Sequence, residues 1–267
     1  CLAACKTHSV WNSPYPQAWL KRNVYFSAFS APPKTLDPAR AYSADSFVFL
    51  TQIVEPPVQY HYLKDSDQLT PLAATALPQV HFLDQNHQPL PRTTDLKKIA
   101  YTVYDIHLRN DLNYAPHPAF AQTPQGQMAY RPWPNQPVPR TLQDFILHHT
   151  RTATAEDFAY QIKRLASPKT NSPIFGLMRE HIDGLNALHQ QLKTWIKTHP
   201  DALKKNHFLD LRHFHLSGVQ VFSKTHYRIQ LKGHYPQFMY WLTLPFFAPT
   251  PWEVDALYAQ PGFAEHN

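Results

Sequence analysis

The chain has 267 residues, of which 43% are hydrophobic and 13% aromatic, so it can bury the core of one large domain or two small ones. Its formal net charge is +6, but the basic residues are scattered and no nucleic-acid motif is present, which argues against a nucleic-acid partner. Both cysteines, Cys1 and Cys5, lie in the first five residues, and this excludes a disulfide framework.

The first part of the chain is expected to contain a tether, two strands and a helix. Residues 1–22 hold prolines and small polar residues without a sustained period, which is typical of a tether. The alternation of β-branched and aromatic residues over 23–29 predicts a strand. Helical spacing over 43–54, with Ser43 as the N-cap, predicts a helix, and 56–63 returns to a strand pattern.

The middle of the chain combines the clearest strand with a long irregular stretch. Both faces of the strand predicted over 97–109 are largely apolar, so we expect it to lie inside a sheet. The stretch 114–142 contains seven prolines and no period. Segments of this length are unusual in compact domains and are often functional or mobile, so we expect a surface excursion.

Two helical regions follow. The pattern over 152–168 predicts a helix that begins at Thr154, with Asp157 three residues later in a capping-box arrangement. Residues 172–197 predict a second helical region that is weakened by its glycines.

The last elements are a hairpin over 218–233 and a short helix or buried apolar segment over 235–247. Helices and strands therefore mix without a strict βαβ repeat. The fold class predicted from these elements is α/β in the broad sense, a mixed α+β arrangement.

Sequence motifs for catalysis or metal binding are absent. His213 and His215 would share the face of a strand, but there is no HExxH and no cysteine beyond residue 5, so we expect no metal and no other cofactor. GxSxG, the P-loop and GxGxxG are also absent. Asp37 and Asp157 are explained by a turn and by the start of a helix, so we expect that the protein is not an enzyme.

Six segments form an ordered pattern that is more specific than any of them alone. They are TLDPARAYS (35–43), QIVEPPVQY (52–60), LTPLAATALP (69–78), YTVYDIHLR (101–109), TAEDFAYQIKRLASPKTNSPI (154–174) and GVQVFSKTHYRIQLKGHYPQF (218–238). In order and spacing they resemble the family 5 extracellular solute-binding proteins, the peptide- and oligopeptide-binding components of ABC importers. The resemblance implies that 23–267 is the N-terminal lobe of a two-lobed periplasmic-binding-protein fold.

The resemblance also implies ligand-facing positions. The segment after LDP lines the cleft of the family and can pair with peptide backbone, which here means Ala41, Tyr42 and Ser43. The residue after the SP that follows the first long helix contacts ligand in the family, which here means Ile174. The residues themselves leave another interpretation open, in which Tyr42 belongs to the core and Ile174 to the buried first turn of a helix.

Proteins of this family are exported and are often held at a membrane by a lipidated N-terminal cysteine. The resemblance therefore implies that Cys1 carries lipid, that 1–22 is a lipoprotein tether, and that the protein lies on the periplasmic side of the cell envelope. Its expected partners are a peptide or other small solute, the membrane and an ABC permease. Leu2 does not favour retention at an inner membrane, as an aspartate in its place would.

Two departures from the family pattern limit these expectations. The family usually has a WSDG-like turn between its strand and helix, where this chain has NYAPHPAF (113–120) and the proline-rich insertion at about 114–142. Family members are also considerably longer, and the second lobe is missing. An alternative is therefore a stand-alone lobe that serves as a non-transporting structural or interaction subunit of the envelope.

Overall fold

The structure, a computed structural model, describes residues 15–24, 26–29, 31–64, 67–131, 141–201, 208–261 and 263. The chain divides into two units, Cys1–Pro32 and Pro33–Asn267.

The first unit contains a 3-10 helix, Gln17–Lys21. The strand predicted over 23–29 is wrong for the residues that are described, because residues 23, 24 and 26–29 are not paired into a sheet. Phe26, one of the aromatic residues that suggested a strand, stacks instead on two aromatic residues that precede the segment, with its ring centroid 4.1 Å from that of Tyr15 and 6.5 Å from that of Trp19. Cys1, Cys5 and most of the predicted tether lie outside the described residues.

The second unit contains the strands and α-helices. The strands are β1 Val58–Tyr60, β2 Leu69–Pro71, β3 Gln79–Leu83, β4 Pro89–Leu90, β5 Tyr101–His107, β6 Val219–Ser223 and β7 His226–Lys232. The α-helices are α1 Ala44–Ile53, α2 Ala155–Ala166, α3 Phe175–His181, α4 Leu185–Thr198, α5 Phe238–Trp241 and α6 Trp252–Tyr258. The 3-10 helices of this unit are Leu96–Lys98, Pro118–Phe120, Leu142–Asp144, Leu211–His213 and Pro245–Phe247.

A five-stranded antiparallel sheet forms the centre of this unit, in the order β4-β3-β5-β7-β6, and β1 pairs with β2 separately. The strand predicted over 97–109 is confirmed as β5, and it lies between β3 and β7 inside the sheet. The predicted hairpin is confirmed as β6 and β7, with an irregularity between Val221 and Ser223.

The two faces of the sheet differ in polarity. Tyr104 of β5 lies opposite Ile229 of β7, and both belong to the main apolar core. On the other face Asp105 lies directly opposite Arg228, whose Nε and Nη2 donate hydrogen bonds of 3.0 and 2.9 Å to the carboxylate. Opposite charges across neighbouring strands stabilise the pairing, so Asp105 fixes the register from the polar face while the apolar residues fix it from the core.

Helix α2 forms as its sequence predicts. Thr154 is its N-cap, and the backbone N–H of Thr154 donates a hydrogen bond of 2.8 Å to Oδ2 of Asp157, completing the capping box. The predicted apolar stripe of Phe158, Ile162 and Leu165 is at most 1% exposed. The helix is therefore both capped at its start and packed along one side against the core.

The second helical region is divided in two by a glycine. Gly184 has φ of 72° and separates α3 from α4. A Cβ atom at this position would also lie 2.1 Å from Oγ of Ser217. Gly184 is thus required both for the left-handed backbone and for close approach of the neighbouring loop.

The proline-rich stretch 114–142 is not only a surface excursion, and this expectation is corrected. Its 3-10 helix Pro118–Phe120 is buried, and Ala119 packs with Phe145, Leu257 and Phe263 in a second apolar cluster. Apolar residues between the prolines give the stretch a buried anchor. Residues 132–140 lie outside the described part of the chain.

Within the part of the chain that the structure describes, no helix has the length and apolar character needed to cross a bilayer.

Replacing Leu165 with Ala should lower the free energy of unfolding by about 3 kcal/mol, because the side chain is fully buried in the core and its removal leaves a cavity. Replacing Leu96 with Ala, where the side chain is 57% exposed, should change it by less than about 0.5 kcal/mol. Urea denaturation of the two variants and the wild type measures both values. Equal losses for the two variants would show that α2 does not pack as described.

Candidate ligand-binding site

The segment 35–43 is a tight turn that leads into α1. The carboxylate of Asp37 accepts a 2.9 Å hydrogen bond from the N–H of Ala39, and its carbonyl accepts bonds from the N–H groups of Arg40 and Ala41. Asp37 therefore holds the first position of a turn that contains Pro38, and the prediction that Asp37 belongs to a turn is confirmed.

Asp37 also forms a second, unpredicted interaction with the guanidinium of Arg164 on α2. Nη1 and Nη2 of Arg164 donate hydrogen bonds of 2.7 and 2.8 Å to the two carboxylate oxygens. Nε of Arg164 donates a 2.7 Å bond to Asp255 on α6, which also accepts a 2.9 Å bond from the hydroxyl of Tyr160. One buried cation thus connects the turn, α2 and α6.

The surroundings of this cation decide its charge state. Burial raises the pKa of the Asp37 carboxyl, but the hydrogen bonds and charge of Arg164 outweigh burial and lower the net pKa below its ordinary value. Burial lowers the pKa of Arg164, but the charges of Asp255 and Asp37 and the hydrogen bond from Asp37 outweigh it, so the net pKa is raised. Asp37 and Arg164 are therefore both ionised at neutral pH.

A second arginine, Arg151, forms ion pairs at the start of α2. Arg151 donates bonds of 2.8 and 2.7 Å to the carboxylate of Asp157, and bonds of 2.8 and 2.7 Å to that of Glu253 on α6. Two paired hydrogen bonds to each carboxylate fix orientation as well as distance. Helices α2 and α6 are joined by charges at two places, one at each arginine.

The turn presents Tyr42 at the surface. Its side chain is 68% exposed, and its ring centroid lies 6.4 Å from that of Phe246. Neither its backbone N–H nor its C=O forms a hydrogen bond with another described residue. Ala41, in contrast, is 1% exposed. The hydroxyl of Ser43 accepts a 3.3 Å bond from the N–H of Ser46 and so caps α1.

Ile174 belongs to a different segment of the chain. It is the N-cap residue of α3, and its side chain is 3% exposed within the main core. Its carbonyl accepts hydrogen bonds from the N–H groups of Leu177 and Met178. The ligand contacts assigned by resemblance to Ala41, Tyr42, Ser43 and Ile174 remain predictions, and of the four only Tyr42 has a largely exposed side chain with unpaired backbone groups among the described residues.

The part of the chain described by the structure contains no group of three or more histidine, cysteine, aspartate or glutamate side chains placed to hold a metal ion. His213 and His215 do not lie on a strand, and His213 lies in a 3-10 helix with its ring 3.5 Å from Asp210.

The buried charges of α2 were not predicted above, although the sequence contains a signal for them. Asp157, Gln161 and Arg164 recur at intervals of four and three residues, the same period as the apolar stripe of α2. All three are buried, with exposures of 3%, 0% and 7%. Polar residues at helical spacing beside an apolar stripe predict buried partners, which here come from segments far away in the sequence.

No protein-family model and no curated protein sequence matches the chain. Among solved structures, it is similar to a periplasmic oligopeptide-binding protein of an oligopeptide ABC transporter (OppAIV) from Borrelia burgdorferi, with a TM-score of 0.51 and 15% identity over 86% of this chain and 32% of that chain. It is also similar to the pheromone receptor PrgZ, a peptide-binding structure, with a TM-score of 0.50 and 18% identity over 85% of this chain and 30% of that chain.

These similarities establish the fold. The chain has a mixed helix and sheet fold that corresponds to part of a periplasmic binding protein. The structural neighbours are family 5 solute-binding proteins, so the resemblance carried by the six sequence segments is confirmed at the level of the fold. The chain spans about a third of the length of these structures.

Replacing Arg164 with Met should lower the free energy of unfolding by about 3 kcal/mol, because two carboxylates would lose a buried cation that pairs with both. The matched control is Arg179→Met, which removes an ion pair with Glu180 whose side chains are 46% and 67% exposed and should cost less than about 1 kcal/mol. Urea denaturation compares the two variants. A loss for Arg164→Met no larger than that for Arg179→Met would contradict the anchoring role.

The lowered pKa of Asp37 predicts a dependence of stability on pH. Because the pKa is lower in the folded state than in the unfolded state, the stabilisation is complete above the unfolded value of about 4 and is lost as pH falls through the folded value. The Asp37→Asn variant lacks this contribution. Its stability should therefore fall less steeply than that of the wild type below about pH 4, as measured by urea denaturation at stepped pH.

Parallel acid profiles for the wild type and Asp37→Asn would show that Arg164 does not lower the pKa of Asp37.

Proposed function

We propose that the protein binds peptides as part of a solute-binding protein of an ABC importer. The observation that carries the proposal is a rigid turn, fixed by Asp37 and Arg164, that presents an exposed Tyr42 with unpaired backbone groups. Free N–H and C=O groups can pair with an extended peptide backbone of any sequence, while the phenol ring packs against a side chain. The fold of the chain corresponds to part of the fold of two proteins described as binding peptides.

The proposed mechanism is capture and release without chemistry. A ligand site between two lobes buries most of a peptide, and closure of the lobes around it provides the signal to a permease. In this proposal residues 33–267 supply one wall of the cleft, and the second wall comes from a lobe that this sequence does not include.

The proposed location is the periplasmic side of the cell envelope, with the protein held to a membrane by lipid on Cys1. The tether 1–22 then serves as the spacer between the bilayer and residues 23–267. Lipid on one cysteine anchors a protein stably when it carries two or more acyl chains, because each buried CH₂ contributes about 0.8 kcal/mol.

The peptide-binding proposal is tested by calorimetric titration of the full-length protein with a pool of short peptides. Replacing Tyr42 with Ala should weaken binding roughly fivefold, the equivalent of about 1 kcal/mol for one aromatic contact. Tyr62→Ala is the matched control, because this side chain is 95% exposed and should leave binding unchanged.

Equal affinities in the wild type and both variants would exclude Tyr42 from the ligand site. Absence of binding to every peptide in the pool would instead favour the alternative, a non-transporting structural subunit of the envelope.

Replacing Cys1 with Ser in the full-length precursor should release the protein from the membrane fraction while leaving its denaturation profile unchanged. The physical reason is that the thiol is the attachment point for the acyl chains. Membrane sedimentation and the intact mass of the native protein check this. A Cys1→Ser protein that still sediments with membranes, or an unmodified thiol in the native protein, would contradict lipid anchoring.

A further inference from the structure

A cavity of about 610 Å³ lies wholly within the second unit, between the turn that precedes α1 and the start of α6. Its volume is within the range of small-molecule sites, about 300–1,000 Å³. The lining is mainly apolar, and its aliphatic and aromatic walls include Leu36, Ile53, Leu112, Phe120 and Val254. These residues come from five separate segments of the chain, so the cavity exists only in the folded structure.

The walls of the cavity are rigid. Pro38, Pro249 and Pro251 line it, and each has a fixed backbone φ. Between two of them, the hydroxyl of Thr250 donates a 2.8 Å hydrogen bond to the buried side chain of Gln161. A preformed cavity loses little conformational entropy when a ligand enters it.

Two polar side chains of the inner walls, His117 and Asn113, have hydrogen-bond partners, whereas the buried hydroxyl of Tyr114 has none among the described residues. Nδ1 of His117 accepts a 3.1 Å bond from the N–H of Ala119, and its Nε2 lies 3.2 Å from the hydroxyl of Tyr258. Burial, with a smaller contribution from His148, lowers the pKa of His117 to about 4, so this ring is neutral at pH 7. Asn113 accepts a 3.0 Å bond from the hydroxyl of Thr152.

The charged residues that line the cavity are Glu55, Arg109 and Asp111. Nη2 of Arg109 lies 3.2 Å from Glu55, and its Nε lies 3.1 Å from Asp111. The three side chains are 38–72% exposed, which places them at the opening. Two carboxylates against one guanidinium leave this rim with a net charge of −1, opposite in sign to the chain as a whole.

We propose that the cavity binds a small amphipathic amine, an apolar group joined to an ammonium ion. The apolar group would occupy the cavity, since the lining is mainly apolar. The ammonium would remain at the rim, where Glu55 and Asp111 exceed the charge of Arg109. An anion of the same shape would be repelled by the net negative charge of the rim. This site needs no second lobe and does not rest on the peptide-binding proposal.

The test uses three probes that share one apolar group, namely phenylbutylamine, phenylbutanol and phenylbutyrate, titrated into the full-length protein and followed by NMR chemical shifts. The amine should bind most tightly and the carboxylate most weakly, with a difference of about threefold to tenfold across the series. Equal affinities for the three probes, or no binding of the amine, would overturn the proposal.

Variants of the rim provide the sharper test. Glu55→Gln should weaken the amine about twofold to threefold, whereas the control Glu180→Gln, an exposed carboxylate on α3 paired with Arg179, should not change it. The double variant Glu55→Gln with Asp111→Asn leaves Arg109 alone at the rim and should reverse the preference, so that phenylbutyrate binds more tightly than the amine. An unchanged preference for the amine in the double variant would show that the rim does not select the charge. Titration of the same variants with peptides tests the peptide-binding proposal separately.

Discussion

The guanidinium of Arg164 is the interaction on which the arrangement of the candidate site depends. It is nearly buried on α2 and pairs with Asp37 in the turn before α1 and with Asp255 in α6. Removing a charged group from water is costly unless its partners are well placed, so the network is satisfied only when all three segments occupy their native positions. The turn that carries Tyr42 is thereby fixed by a constraint from 127 residues away in the sequence.

Much of the fold could be predicted from local patterns. The capping box at Thr154 and Asp157, the apolar stripe of α2 and the two-sided burial of β5 each depend on residues close together in the chain, and all were confirmed. The strand predicted over 23–29 was wrong because strand formation depends on pairing with another segment and not on local sequence alone. Alternating aromatic residues form a strand only if a partner strand exists, and in this segment Phe26 stacks instead on Tyr15 and Trp19, which precede it in the chain.

The candidate site was predicted less well, because its geometry depends on long-range pairs. Asp37 was assigned to a turn on local grounds, which is correct but omits Arg164. The resemblance to a family placed ligand contacts at Tyr42 and Ile174, yet the surroundings of these two side chains differ sharply, with 68% and 3% exposed. Local sequence could not distinguish them, since burial is decided by which segments pack above each residue.

The central claim is that the turn fixed by Arg164 offers the backbone of Tyr42 to a peptide. The most direct test is hydrogen exchange at single-residue resolution, measured for the full-length protein with and without a bound peptide. The account predicts that the Tyr42 amide exchanges rapidly without peptide and becomes protected when peptide is added, because its N–H then donates to the ligand. A peptide that binds while exchange at Tyr42 stays unchanged would contradict the account.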